Sequence, residues 1–156
     1  MTLEESKQET KNHIALVRRV MTLFAHRLLH RAIDHDASKL ESPEAEGFAE
    51  VTHILRGLTY GSEEYKACLE RMKPFLKHHY EHNKHHPEHY EDGIDGMTLF
   101  DLVEMFCDWM AATQRHADGD IFKSIEHNET RFGISPQLVS ILRNTAKDIP
   151  LPQEGP

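Results

Sequence analysis

The adjacent pair His35-Asp36, within Ile33-Asp34-His35-Asp36-Ala37-Ser38-Lys39, constrains this chain more than any other stretch. Consecutive residues there offer one imidazole nitrogen and one carboxylate oxygen. These are borderline and hard ligands, suited to Zn, Mn, Fe, Co or Ni and less to Ca or Cu(I). Leu28, Leu29 and Ile33 lead into the pair, so it ends an apolar segment instead of lying in a solvated loop. Two neighbouring ligands hold an ion poorly by themselves, so a metal site here requires the fold to bring others to it. The chain has them in quantity: thirteen histidines, six of which lie between His78 and His89, too far inside to be a purification tag.

The 156 residues suit one domain, taken as 1–148, followed by a proline-rich tail at 149–156. Sparse glycine and plentiful charge favour helices over a β-sandwich. A formal net charge of −8 disfavours a long nucleic acid as partner unless metal bridges the phosphates. The N-terminal stretch is acidic, polar and helix-like, unlike a signal or transit peptide. No apolar run reaches membrane-spanning length, so no membrane partner and a cytoplasmic location are expected. Cys68 and Cys107 fall in apolar helical patterns and read as reduced core residues.

Helical periodicity recurs along the chain. Leu16, Val17, Val20, Phe24 and Leu28 form a stripe with His13 at its centre, which points His13 inward and His26 and His30 away. Ser42-Pro43-Glu44 reads as a helix start with an N-cap serine. Phe48, Val51, Ile54, Leu55 and Leu58 follow, ended by Gly57 and Gly61. Ser62-Glu63-Glu64 opens the next helix, with Tyr65, Cys68, Leu69, Met72, Phe75 and Leu76 on its apolar face and a kink expected at Pro74. The same 100° step carried onward puts His79 near the centre of that face, Asn83 close by, and His78 and His82 at its edges. His85-His86-Pro87-Glu88-His89 reads as a loop.

Thr98 caps the next helix with Asp101 as its capping-box partner. Leu99, Leu102, Val103, Phe106, Trp109 and Met110 form its expected buried face, with Asp101, Glu104, Asp108 and Arg115 on the other side. Glu104 and Asp108, like charges one turn apart, repel unless a cation lies near. A last helix is expected over Pro136–Asn144, with Leu138, Ile141 and Leu142 inward. The predicted fold is all-α, a helical bundle of about five to seven helices.

His13-x3-Val17, Ile33-x-His35-Asp36-x-Ser38-Lys39 and Cys107-Asp108-Trp109-x-Ala111-Ala112-Thr113 together resemble the HD-domain superfamily. The string Lys77-His78-His79-Tyr80-x2-Asn83-x-His85-His86-Pro87-Glu88, with Glu104-x3-Asp108-Trp109, is more specifically similar to a small HD-like group common in phage genomes. The resemblance implies an HD-type bundle in which His13, His35, Asp36 and Asp108 ligate one metal. His79, His85 and His86 would complete a second ion or protonate a leaving group. The chain lacks the Gly-Tyr-Pro triplet of cyclic-dinucleotide phosphodiesterases, which argues against that substrate.

The resulting expectation is a metal-dependent phosphohydrolase using one or two ions of Mn, Co, Ni, Zn or Fe. Its substrate would be a small phosphate ester or anhydride, foremost a nucleotide, and a homo-oligomer is possible. Lys39 and Arg115 are candidates to hold the phosphate, and Asp36 or Glu104 to take a proton from water. The alternatives are a di-iron oxygenase of the same fold and a non-catalytic metal-binding module. A shared ion makes one geometric demand. His13 and His35 can ligate it together only if a turn breaks the first helix, between Leu23 and Ala32, since 22 residues of straight helix span ~33 Å. A continuous helix would pass the role of His13 to His79 or His86.

Overall fold

The first helix does not break. In the computed structural model, which describes residues 1–55, 63–114 and 119–149 (without the side chains of 52, 53, 55, 65, 66 and 69), α1 runs unbroken over Leu3–Asp34. A capping box starts it: the Glu5 N–H donates to Thr2 Oγ1 at 3.3 Å, and the Thr2 N–H donates to Glu5 Oε2 at 2.6 Å. No glycine or proline interrupts the segment, so nothing in the chain itself stops propagation. His13 is exposed, ~33 Å of helix away from His35, and cannot share an ion with it. The inward stripe fails with it, because α1 buries none of its residues and Leu16, Val17, Val20 and Phe24 are all exposed.

Met1–His35 form one compact unit and Asp36–Pro156 a second. In the second, a short 3-10 turn over Ala37–Leu40 precedes α2 (Glu44–Leu55), α3 (Glu63–His82), α4 (Leu99–Thr113), α5 (Ile121–Phe132) and α6 (Pro136–Asp148). Two further 3-10 turns, Pro87–His89 and Gly93–Gly96, lie between α3 and α4. No strand occurs among the described residues, so the fold is all-α, and no described helix is long and apolar enough to cross a membrane. The expected features at Gly57, Leu58, Gly61, Ser62 and Arg115, at the side chains of Leu55, Tyr65 and Leu69, and in the tail beyond residue 149 lie outside the description.

α2 packs on α3 around buried Val51, Cys68 and Met72, with Phe48, Ile54 and Leu76 against them. Gly47 makes that approach possible: a methyl group there would run into the ring of Phe75. α2 starts at Glu44, where the Pro43 carbonyl accepts the Gly47 N–H at 3.2 Å, so Pro43 and not Ser42 holds the cap position. α3 continues through Pro74 to His82, and this continuity preserves the phase that buries His79 and Asn83.

The other core joins Phe106 and Met110 of α4 to Ile125, Ile134, Val139 and Leu142. Thr98 and Asp101 form the expected capping box. Asp101 nevertheless faces inward, because its Oδ2 accepts from the Thr98 N–H (2.8 Å), the Thr98 hydroxyl (2.6 Å) and the Tyr90 hydroxyl (2.8 Å). Of the expected face, Phe106 and Met110 are buried and Trp109 packs against their core; Met105 is buried as well, while Leu99 and Cys107 are exposed, so Cys107 is no core residue. α5 begins where the Asp120 carboxylate accepts the Phe122 N–H at 2.8 Å and ends at Gly133, whose φ of +62° suits glycine. α6 runs one turn past Asn144 and buries Val139 and Leu142, leaving Ile141 outside.

Candidate metal centre

Asp36 is the hinge of the site. It adopts a left-handed conformation with φ +55°, which asparagine and aspartate tolerate best after glycine. Its Oδ2 accepts from Lys39 Nζ at 2.6 Å within the following 3-10 turn. Its Oδ1 lies 3.3 Å from His79 Nε2 and 3.4 Å from His85 Nε2. His86 Nε2 is 2.9 Å from His79 Nε2, and these four side chains offer ligand atoms all within 4.8 Å of one another. Such spacings match the edges of a coordination shell: with bonds of ~2.0 Å, tetrahedral neighbours lie about 3.3 Å apart.

Carboxylates behind the rings decide which nitrogens face inward. Glu44, in the first turn of α2, is wholly buried. Its Oε2 accepts from His79 Nδ1 at 2.8 Å and from the Ser38 hydroxyl at 3.0 Å, and its Oε1 accepts from His78 Nδ1 at 2.8 Å. Burial pushes the Glu44 carboxyl up, but the bonds from His78, His79 and Ser38 outweigh it and hold it below its ordinary range. An ionised carboxylate only accepts, so the His79 proton sits on Nδ1. Burial, reinforced by Lys39, keeps that ring below the usual imidazole range despite Glu44 and Asp36. A neutral His79 with Nδ1–H presents its Nε2 lone pair to Asp36.

The same pattern repeats at His85. Its Nδ1 lies 3.1 Å from Glu104 Oε1, which turns its Nε2 toward Asp36 Oδ1, 3.4 Å away. His86 is held neutral, at about 3, by burial and then by His85 and His79, against Asp108 and Asp36. Asn83, closing α3, donates to Ser38 Oγ at 2.7 Å and to the His79 carbonyl at 2.8 Å, tying the 3-10 turn to the histidine segment. Three imidazoles and a carboxylate with ligand atoms gathered this closely form a donor set of the kind that could hold a divalent cation.

Of the residues singled out from the sequence, Asp36, His79, His85 and His86 meet here. Asp108 is half-buried on α4 and brings a carboxylate oxygen within 4.8 Å of one from Asp36. Glu104 stands behind His85, and Lys39 lies on Asp36, 5.4 Å from the centre of the Phe48 ring. His35 follows the last residue of α1 and ends the first unit. His13 is remote, and Arg115 lies outside the described residues. Sequence reasoning passed over Glu44, whose place in a helix's first turn reads as an ordinary dipole partner, and Ser38, which stood in the His-Asp stretch without a role.

Neither the curated proteins nor the solved structures give a significant match to this chain. One family model does match, over residues 2–148, described as a family of unknown function, DUF5662, and the chain belongs to that family.

Proposed function

We propose that this protein is a metal-dependent phosphohydrolase acting on a small phosphate ester or anhydride, foremost a nucleotide. One observation carries the reading: Asp36 Oδ1 lies within 3.4 Å of two imidazole Nε2 atoms whose Nδ1 atoms are both turned to carboxylates. Asp36, His79, His85 and His86 would hold one divalent ion of Mn, Co, Ni, Zn or Fe. His35 is a candidate ligand through its adjacency to Asp36 in the chain, as the likeness to HD-domain proteins implies. A second ion near Asp108 belongs to the same reading.

A bound cation of this kind supplies charge for phosphoryl oxygens and a water of lowered pKa. The chain's own groups do the rest. Lys39 carries its ammonium beside the ligand carboxylate, where it can hold a phosphate oxygen. Asp108 offers a carboxylate near enough to Asp36 to take a proton from an attacking water. Glu104 orients His85 rather than acting as the base. An acidic chain of this charge suits a small substrate better than a polymer, and a cytoplasmic location fits nucleotide chemistry.

The test is release of inorganic phosphate from a panel of nucleoside mono- and triphosphates by metal-loaded protein. Activity that needs metal and disappears in Asp36→Ala supports the proposal. Metal binding with no phosphate release across the panel overturns it in favour of a non-catalytic module.

A further inference from the structure

The unit Met1–His35 is one helix, and its side chains do not suit a helix standing alone in water. Ile14, Val17, Met21, Phe24 and Leu28 recur at alternating steps of three and four residues, the spacing that makes one apolar seam and packs a helix on another. Ile14, Val17, Met21 and Phe24 are each 40 % exposed or more, and Leu16, Val20 and Leu23 beside them are exposed too. The unit holds no second element to cover them, and seven large apolar residues within eleven positions mark a surface made for contact.

Charge identifies the occupant. Glu4, Glu5 and Glu9 lie in the first two turns of α1, and no acid follows until Asp34. Arg18, Arg19, Arg27 and Arg31 occupy the rest. Of the two early lysines, Lys7 and Lys11, the first is taken up by Glu4 at 2.8 Å. A helix with one acidic end and one basic end is complementary to itself reversed, whereas a parallel pair would set four arginines against four. We propose that α1 pairs antiparallel with α1 of a second copy of this chain, forming a homodimer. The seam fixes the register. With the two-fold axis near Arg19, Val17 faces Met21 of the second copy, Ile14 faces Phe24, and Val20 meets Val20 beside the axis. Glu9 then lies along the turn from Arg27 to Arg31. Asp36, His79, His85 and His86 play no part in this pairing.

Sedimentation equilibrium of the full chain tests the dimer, with Met21→Glu on the seam and Thr22→Glu beside it as control. The wild type and Thr22→Glu should show twice the chain mass of 18.1 kDa, and Met21→Glu should show the single chain. Cross-linking tests the direction independently of that variant's folding. In a Cys107→Ser background, which removes the exposed thiol, a bismaleimide spanning about 10 Å matches the separation of packed helices. Val20→Cys should be joined to its mate, while Lys7→Cys, ~36 Å from its mate in the antiparallel pair, should not. Equal cross-linking at both positions, or a dimer that survives Met21→Glu, overturns the proposal. So does a single chain at every concentration; a lowered unfolding midpoint in Met21→Glu would then make the second unit of the same chain the occupant of the seam.

Discussion

The buried carboxylate of Glu44 accepts the Nδ1–H of His79 at 2.8 Å, joining the first turn of α2 to the end of α3 across 35 residues of chain. The bond sets the tautomer and the tilt of a ring that faces Asp36, and behind metal ligands such bonds change affinity about 10–100-fold. Glu44→Gln keeps the shape and removes the charge. It should lower the affinity of the metal centre by at least tenfold, read by competition with a chromophoric chelator, while the far-ultraviolet circular dichroism stays unchanged. Unaltered affinity would show that the carboxylate only stabilises the fold.

The neighbours His78 and His79 share that carboxylate but face different ways. His79 is buried and within reach of Asp36, whereas His78 is partly exposed. His79→Ala should therefore remove most of the bound metal and the phosphate release, and His78→Ala should spare most of both. Metal content and turnover of the two variants, measured side by side, check this. Equal losses would contradict the inward role of His79.

The continuous α1 makes a plain prediction for His13. An exposed ring in mid-helix, ~33 Å along the axis from His35, can touch no shared ion. His13→Ala should leave metal content and activity at wild-type levels, by elemental analysis and phosphate assay.

Helical phase explains how far the sequence was legible. The 3.6-residue period on α3 survived Pro74 and placed His79 and Asn83 inside, because a proline within a helix removes one hydrogen bond without shifting the register of the later turns. The same period misled at α1, where the stripe from Leu16 to Leu28 has no second element in its own unit to cover it. On α4 the capping box was readable, but the burial of Asp101 was not, since it depends on the Tyr90 hydroxyl brought in by the preceding 3-10 turns. Glu44 was hidden for a similar reason: its partners Ser38, His78 and His79 are distant in sequence, and only the approach of α2 to α3 assembles them.

That approach depends on Gly47. With a side chain there, the Phe75 ring must move, and α2 with it, which would pull Glu44 from His79. Overpacking of this kind costs about 1–3 kcal/mol. Gly47→Ala should lower the denaturant midpoint accordingly and weaken metal binding, and trimming the ring in Gly47→Ala/Phe75→Leu should restore part of both.

Acid should destabilise the metal-free protein in a defined window. His86 is held down to about 3 and His79 below its ordinary 6.5, both chiefly by burial, so the unfolded chain binds protons that the folded one refuses. A depressed folded value gives stability that is complete above the unfolded value and lost as pH falls through the folded one. The loss attributable to these rings thus begins near pH 6.5 and continues toward pH 3. Glu44, also depressed, adds to it below 4.5. Urea unfolding in a chelator-containing buffer should show stability level between about pH 7 and 8 and falling steadily below about 6.5. His86→Asn, which cannot take up that proton in either state, should flatten the slope. The same protons compete with metal for the imidazoles, so metal affinity should fall in parallel over the same range. A pH-independent stability between about 6.5 and 4.5 would contradict a neutral, buried pair of histidines.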